Sequence, residues 1–142
     1  MTDGVLPVPL VDGMIHRPGV PRHMMRAKRF ARPVRIERHG ALLAQTGRAL
    51  QLVEIGRDLY EPVWYVPMDD VGAALVASGK STHCPLKGDT TYYDLADGSG
   101  DALAWSYTDP LPFAQVLAGH VAFDAARVTI VLLPEQEPAT DG

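Results

Sequence analysis

A mainly antiparallel β domain is what this sequence predicts, and three observations carry the prediction. Short runs rich in β-branched and aromatic residues recur from Val34 to Val131, several of them alternating apolar with polar positions. Glycine-containing turns separate those runs. Only one stretch, residues 69–78, repeats its apolar residues at helical spacing. The expected architecture is a small, twisted, barrel- or tent-like sheet with one short helix over residues 34–133. A basic, proline-containing arm (1–33) precedes it and a tail (134–142) follows.

Taken in order, residues 1–15 hold Gly4, Pro7, Pro9 and Gly13 among small apolar residues and read as a tail. Residues 1–24 are expected to add little to the core, with Met24, Met25 and Phe30 as anchors for the later part of the arm. Residues 34–38 alternate apolar and charged side chains, His39-Gly40 makes a turn, and residues 41–46 return as a second strand. Gly47 permits a further reversal, after which residues 49–54 and 62–66 continue the strand pattern. The helix is expected at residues 69–78. Asp69 or Asp70 would cap its first amides, Val71, Ala74, Leu75 and Ser78 would line one side, and Gly79 would close it in a left-handed conformation. Residues 90–95 and 102–107 flank the polar, glycine-rich stretch 96–101, which suits a β-hairpin. Residues 113–117 read as a short helical turn, 121–123 as a short strand, and 127–133 as a final strand with Val128, Ile130 and Leu132 on one face.

Composition narrows the class. With 142 residues, 46% of them hydrophobic, the chain can bury a core without disulfide or metal. Its single cysteine cannot form an internal disulfide, and no apolar run approaches the roughly 20 residues that span a bilayer. The start lacks a basic segment followed by a long apolar stretch, so no membrane partner and a cytoplasmic location are expected. The net charge of −4 conceals an asymmetry: residues 16–38 carry eight basic side chains against one acid, a local +7, while the rest carries five against sixteen, or −11. Such an arm suits nucleic acid. Its prolines and scarce aromatics favour instead a solvated arm, or one folded back on the acidic remainder.

Reactive and aromatic groups concentrate in one block. Thr82-His83-Cys84-Pro85-Leu86-Lys87-Gly88 is followed by Tyr92-Tyr93 and then by Trp105-Ser106-Tyr107. Cys84 is the candidate nucleophile, and Lys87 the residue to lower its thiol pKa if the segment curls. His83 is a poor base for it, because neighbours on a strand face opposite ways. Free cysteine is also commonly a buried, inert residue. Lys87 suits a phosphate or carboxylate, and Gly88 gives a ligand access to backbone. Alternation sets Tyr93 opposite to Tyr92 and puts Trp105 and Tyr107 on a common face, about 6.5–7 Å apart along the strand. Glu54 and Asp89 are acid–base candidates without a partner that spacing identifies, and Glu54 reads more readily as a strand-end surface charge.

Three other patterns fail on inspection. Gly79-Lys80-Ser81 ends like a phosphate-binding loop, but the first glycine of that pattern falls on Ala74 and the expected helix precedes it. Asp97-Gly98-Ser99-Gly100-Asp101 lacks the offsets of a calcium loop. No metal site is expected, since one cysteine and five widely spaced histidines offer no chelating pair.

The same motifs carry a family likeness. Tyr65-Val66-Pro67, Asp70-Val71, the 82–88 block, Tyr92-Tyr93, Ala104-Trp105-Ser106-Tyr107, Pro110 and Gly119-His120-Val121-Ala122-Phe123 together resemble the bacterial family called domain of unknown function 427. Arg48-Ala49-Leu50 and Ala126-Arg127-Val128 also fit, and Asp124 departs from the aromatic that commonly follows the phenylalanine. The resemblance implies a small, mainly β domain, alone or in tandem. A nucleotidyltransferase label sometimes attached to that family brings no catalytic residues with it.

The functional expectation is a small-molecule-binding domain for an anionic or nucleotide-like ligand. Its cleft is expected between residues 84–87 and strand residues 105–107, with Lys87 on the anion, Gly88 giving backbone access, and Trp105, Tyr107 and Tyr93 available to stack on a planar group. Two alternatives stand beside it: an enzyme using Cys84 with Lys87, and a non-catalytic interaction module whose basic arm meets an acidic partner or nucleic acid. No cofactor is indicated.

Overall fold

Period-two alternation governs nearly the whole chain. The computed structural model describes residues 13–17 and 19–135. Its strands are β1 (Ile15–Arg17), β2 (Val20–Arg29), β3 (Val34–Arg38), β4 (Ala41–Thr46), β5 (Leu50–Ile55), β6 (Val63–Pro67), β7 (Leu75–Cys84), β8 (Gly88–Leu95), β9 (Ala104–Pro110), β10 (His120–Phe123) and β11 (Thr129–Leu132). Eight of them form one antiparallel sheet in the order β1-β2-β5-β6-β10-β9-β8-β7, and β11-β3-β4 form a second. The larger sheet curls into a half-barrel, and the mainly β expectation holds. Among the described residues no helix is long and apolar enough to cross a membrane.

Each face of the large sheet buries its own core. On one, Val66, Leu95, Ala104, Val121 and Phe123 meet Val34, Ile36 and Leu43 of the smaller sheet. Val128, Ile130 and Leu132 pack against this core from one face of the final strand region, as alternation required. On the other, Met25, Leu50, Leu52, Tyr65, Leu86, Tyr107 and Ala122 meet Ala114 and Leu117 of a short 3-10 segment, Pro112–Leu117. Neighbours along one strand, Tyr65 and Val66 or Val121 and Ala122, thus serve different cores.

Two expectations need correction. The helix at 69–78 does not form: a single 3-10 turn, Met68–Asp70, leads through a short connection into β7. The apolar residues that pack there are Val71, Ala73 and Leu75, a period of two. The Asp70 carboxylate caps no amide and instead accepts a hydrogen bond from Thr46 Oγ1 at 2.6 Å. Gly79 does take a positive φ of 86°, but at an irregularity in β7–β8 pairing between Ala77 and Ser81. Such a bulge blunts an edge strand.

The second correction is that part of the basic segment is a sheet strand rather than a proline-broken arm, although Met25 anchors it as expected. From Val20 it is a ten-residue strand paired with β5 over Met24–Arg29, and Met25 is wholly buried. Arg26 and Lys28 alternate with Met25 and Ala27, so these two charges face outward while the apolar residues pack inward. The expectation for residues 1–12 lies outside the described residues.

Candidate functional site

The site is built where β2 and β5 run side by side. Met25 stands opposite Glu54 in their antiparallel register, so both point to the second core's face, and His23, two residues before Met25, points the same way. Leu50 and Leu52 fill the core on that face, leaving Glu54 at its margin. A cation arrives from the opposite end of the sheet. β7 and β8 join through residues 85–87, closed by the pairing of Cys84 with Gly88, and Lys87 is carried by this turn. Gly88 has φ 115°, and a Cβ on it would stand 2.9 Å from the Asp109 carbonyl oxygen. Only glycine fits there without displacement of backbone. The Leu111 amide donates to the Lys87 carbonyl at 2.9 Å, fixing the turn against the end of β9.

Three side chains form a continuous chain of contacts. Lys87 Nζ donates to Glu54 Oε1 at 2.6 Å, and His23 Nε2 meets Glu54 Oε2 at 2.7 Å. All three are largely withdrawn from solvent, their side chains retaining 11%, 15% and 15% exposure for Lys87, Glu54 and His23. The Lys87 ammonium also lies 5.5 Å from the centre of the Tyr107 ring. Tyr65 is fully buried in the same cluster, and Trp105 Nε1 donates weakly to its hydroxyl at 3.4 Å.

Electrostatics fix the charge states. Burial pushes the Glu54 carboxyl up, but the Lys87 ammonium and the hydrogen bonds from Lys87 and His23 outweigh it, so the carboxyl sits below its ordinary range. Burial likewise opposes charge on Lys87, yet Tyr65 and Tyr107, where their phenols ionise, together with the Glu54 carboxylate push its pKa up overall. At neutral pH the pair is therefore Glu⁻–Lys⁺. Burial raises the Tyr65 phenol above the ordinary tyrosine range, and raises Tyr107 as well, so both are neutral donors.

A cleft of about 290 Å³ adjoins this chain. It is lined by Arg17, Val20, Arg22, His23, Glu54, Gly56, Arg57 and Tyr60. Glu54 is its one carboxylate, and that charge is already matched by Lys87. Among the described residues no carboxylate pairs with Arg17, Arg22 or Arg57. Tyr60 stands at the rim, 43% exposed, with its ring over Gly56. Among the described residues no cluster of three or more His, Cys, Asp or Glu is arranged to hold a metal.

The residues singled out by sequence divide between the sheet's two faces. Lys87, Tyr107, Trp105 and Cys84 come together around the second core. Lys87 and Tyr107 meet there as buried neighbours, 9% and 6% exposed, and the arginine-lined cleft opens beside Glu54. Tyr93 is on the other face, packed against the first core with its hydroxyl 2.8 Å from Ser106 Oγ. Cys84 is half-buried, and His83 turns from it to Asp89 at 2.8 Å. Glu54 reads as a surface charge in sequence and is the hub in space. His23, Arg17, Arg22, Arg57 and Tyr65 were not singled out as site residues by sequence reasoning. For His23 a signal existed, since alternation from a buried Met25 puts it inside.

No curated protein matches the chain. The contact chain lies largely within a recognisable family segment, which includes Glu54, Tyr65, Lys87, Trp105 and Tyr107, whereas Arg17, Arg22 and His23 precede it. Matching over residues 26–133, the chain belongs to the family described as a domain of unknown function, DUF427.

Proposed function

We propose that this domain binds a small anionic, phosphate-bearing ligand in the cleft over the His23–Glu54–Lys87 chain. The observation that carries the reading is positive charge that meets no carboxylate partner among the described residues. Three guanidiniums, Arg17, Arg22 and Arg57, border one cleft whose single carboxylate is neutralised by Lys87. Guanidinium forks match phosphate oxygens in pairs, and such charge-assisted bonds are stronger than neutral ones. Lys87 acts through Glu54: by cancelling its charge, it removes the repulsion that a bare carboxylate would exert on an anion. Gly88 serves by letting the turn close so that Lys87 reaches Glu54. A nucleotide-like ligand would lay its planar group on the exposed Tyr60 ring, a part first expected of Trp105 and Tyr107.

Calorimetric titration with inorganic pyrophosphate at low salt tests the reading. Binding should weaken as salt rises, and Arg22→Ala or Arg57→Ala should each lower affinity about tenfold, the worth of one hydrogen bond to a charged group. Lack of binding, or binding unchanged by both substitutions, would remove this cleft from consideration.

A further inference from the structure

The Glu54–Lys87 pair also dictates the tautomer of His23. Glu54 is held ionised by Lys87, so its Oε2 can only accept a hydrogen bond. The proton in the 2.7 Å contact therefore belongs to His23 Nε2, which leaves the lone pair of the neutral ring on Nδ1. Among the described residues nothing hydrogen-bonds Nδ1, and the ring forms part of the wall of the arginine-lined cleft. An imidazole oriented by a carboxylate, with no hydrogen bond to its second nitrogen among the described residues, is the arrangement of an activated nucleophile if a phosphate stands beside it.

We propose that His23 accepts a phosphoryl group at Nδ1 from an acyl phosphate or phosphoanhydride held in this cleft. The proposal rests on the cleft being a phosphate site. In the first step the Nδ1 lone pair attacks phosphorus, the P–N bond forms, and the P–O bond to the leaving group breaks with its electron pair. The leaving group departs as a carboxylate or phosphate. No proton need be supplied to it, in keeping with a cleft whose one carboxyl is ionised. The ring becomes cationic while Nε2–H stays on Glu54, whose negative charge stabilises it. Arg17, Arg22 and Arg57 match the charge spread over the phosphoryl oxygens. In the second step water attacks phosphorus, the P–N bond breaks and returns its pair to Nδ1, and inorganic phosphate and a proton are released.

The test uses the full chain, acetyl phosphate as donor, and peptide mapping under alkaline conditions, where phosphohistidine survives. His23 should be labelled at least tenfold faster than the exposed His39 and His83, and inorganic pyrophosphate should suppress that labelling. His23→Asn, which keeps a donor for Glu54, should abolish the adduct. Because the mapping compares five histidines in the unaltered protein, it does not depend on any variant folding. Pyrophosphate binding with no preferential label on His23 overturns the nucleophile and leaves the anion cleft standing. Failure of both binding and labelling overturns both.

Discussion

Lys87 Nζ lies 2.6 Å from Glu54 Oε1, joining a hairpin turn near one edge of the eight-stranded sheet to a strand near the other. Both groups are mostly shielded from water, so each charge depends on its partner. Removing one member of a buried ion pair strands the other and costs roughly 3–5 kcal/mol, whereas replacing both with apolar residues of similar size is often close to neutral. Lys87→Met alone should thus lower unfolding free energy by about 3 kcal/mol, and Glu54→Leu with Lys87→Met should recover most of the loss. Equal destabilisation in the single and double variants, measured by urea unfolding, would contradict a dependent pair.

The pair also gives a pH signature. The Glu54 pKa is lowered on folding, so its stabilising contribution is complete above the ordinary glutamate value of about 4.3 and is lost as pH falls through the lower folded value. Lys87 behaves in the opposite sense. Its pKa is raised, so its contribution is intact below about 10.4 and declines as pH climbs from there toward the folded value. A Glu54→Gln, Lys87→Met double variant should therefore lose less stability than the parent at both extremes. Parallel Tm curves from pH 2.5 to 11 would rule this out.

Gly88 is the residue on which the turn depends. Alanine there would combine a φ of 115° with a Cβ 2.9 Å from a backbone oxygen. Strain of this kind costs on the order of 1–3 kcal/mol. Gly88→Ala should be destabilised by about 2 kcal/mol and should bind pyrophosphate more weakly, because Lys87 would be displaced from Glu54. Gly98, also at positive φ but with open space around its Cβ position, is the control, and Gly98→Ala should cost less. The thermal midpoints of the two variants decide the point.

How much of this was legible in sequence follows from the range of the interactions. Strands β3, β4, β8 and β11 were readable because alternation is a local property, and the 96–101 hairpin because its loop is polar and glycine-rich. The expected helix failed where two periods overlapped: Val71 and Leu75 fit both a helix and a strand, and pairing with β8 decided the matter. Lys87, Trp105 and Tyr107 were found because they lie in a dense block. The Glu54 contact was not, since it spans 33 residues and depends on a sheet order that places β5 and the β7–β8 turn around one core. Arg17, Arg22 and His23 were read as parts of a charged arm, and only the pairing of β2 with its neighbours turns that arm into a cleft wall.

Thiol reactivity separates the remaining alternative. Cys84 packs at the margin of the second core, and His83 is engaged with Asp89 at 2.8 Å and faces away. Lys87, the residue expected to activate the thiol, is instead bound to Glu54. Neither group that could activate the thiol is directed at it. Iodoacetamide at pH 7 should therefore label the native protein more slowly than the urea-unfolded chain, by about tenfold, and Lys87→Ala should not slow it further. Rapid native labelling that falls on removal of Lys87 would instead return Cys84 to the position of nucleophile.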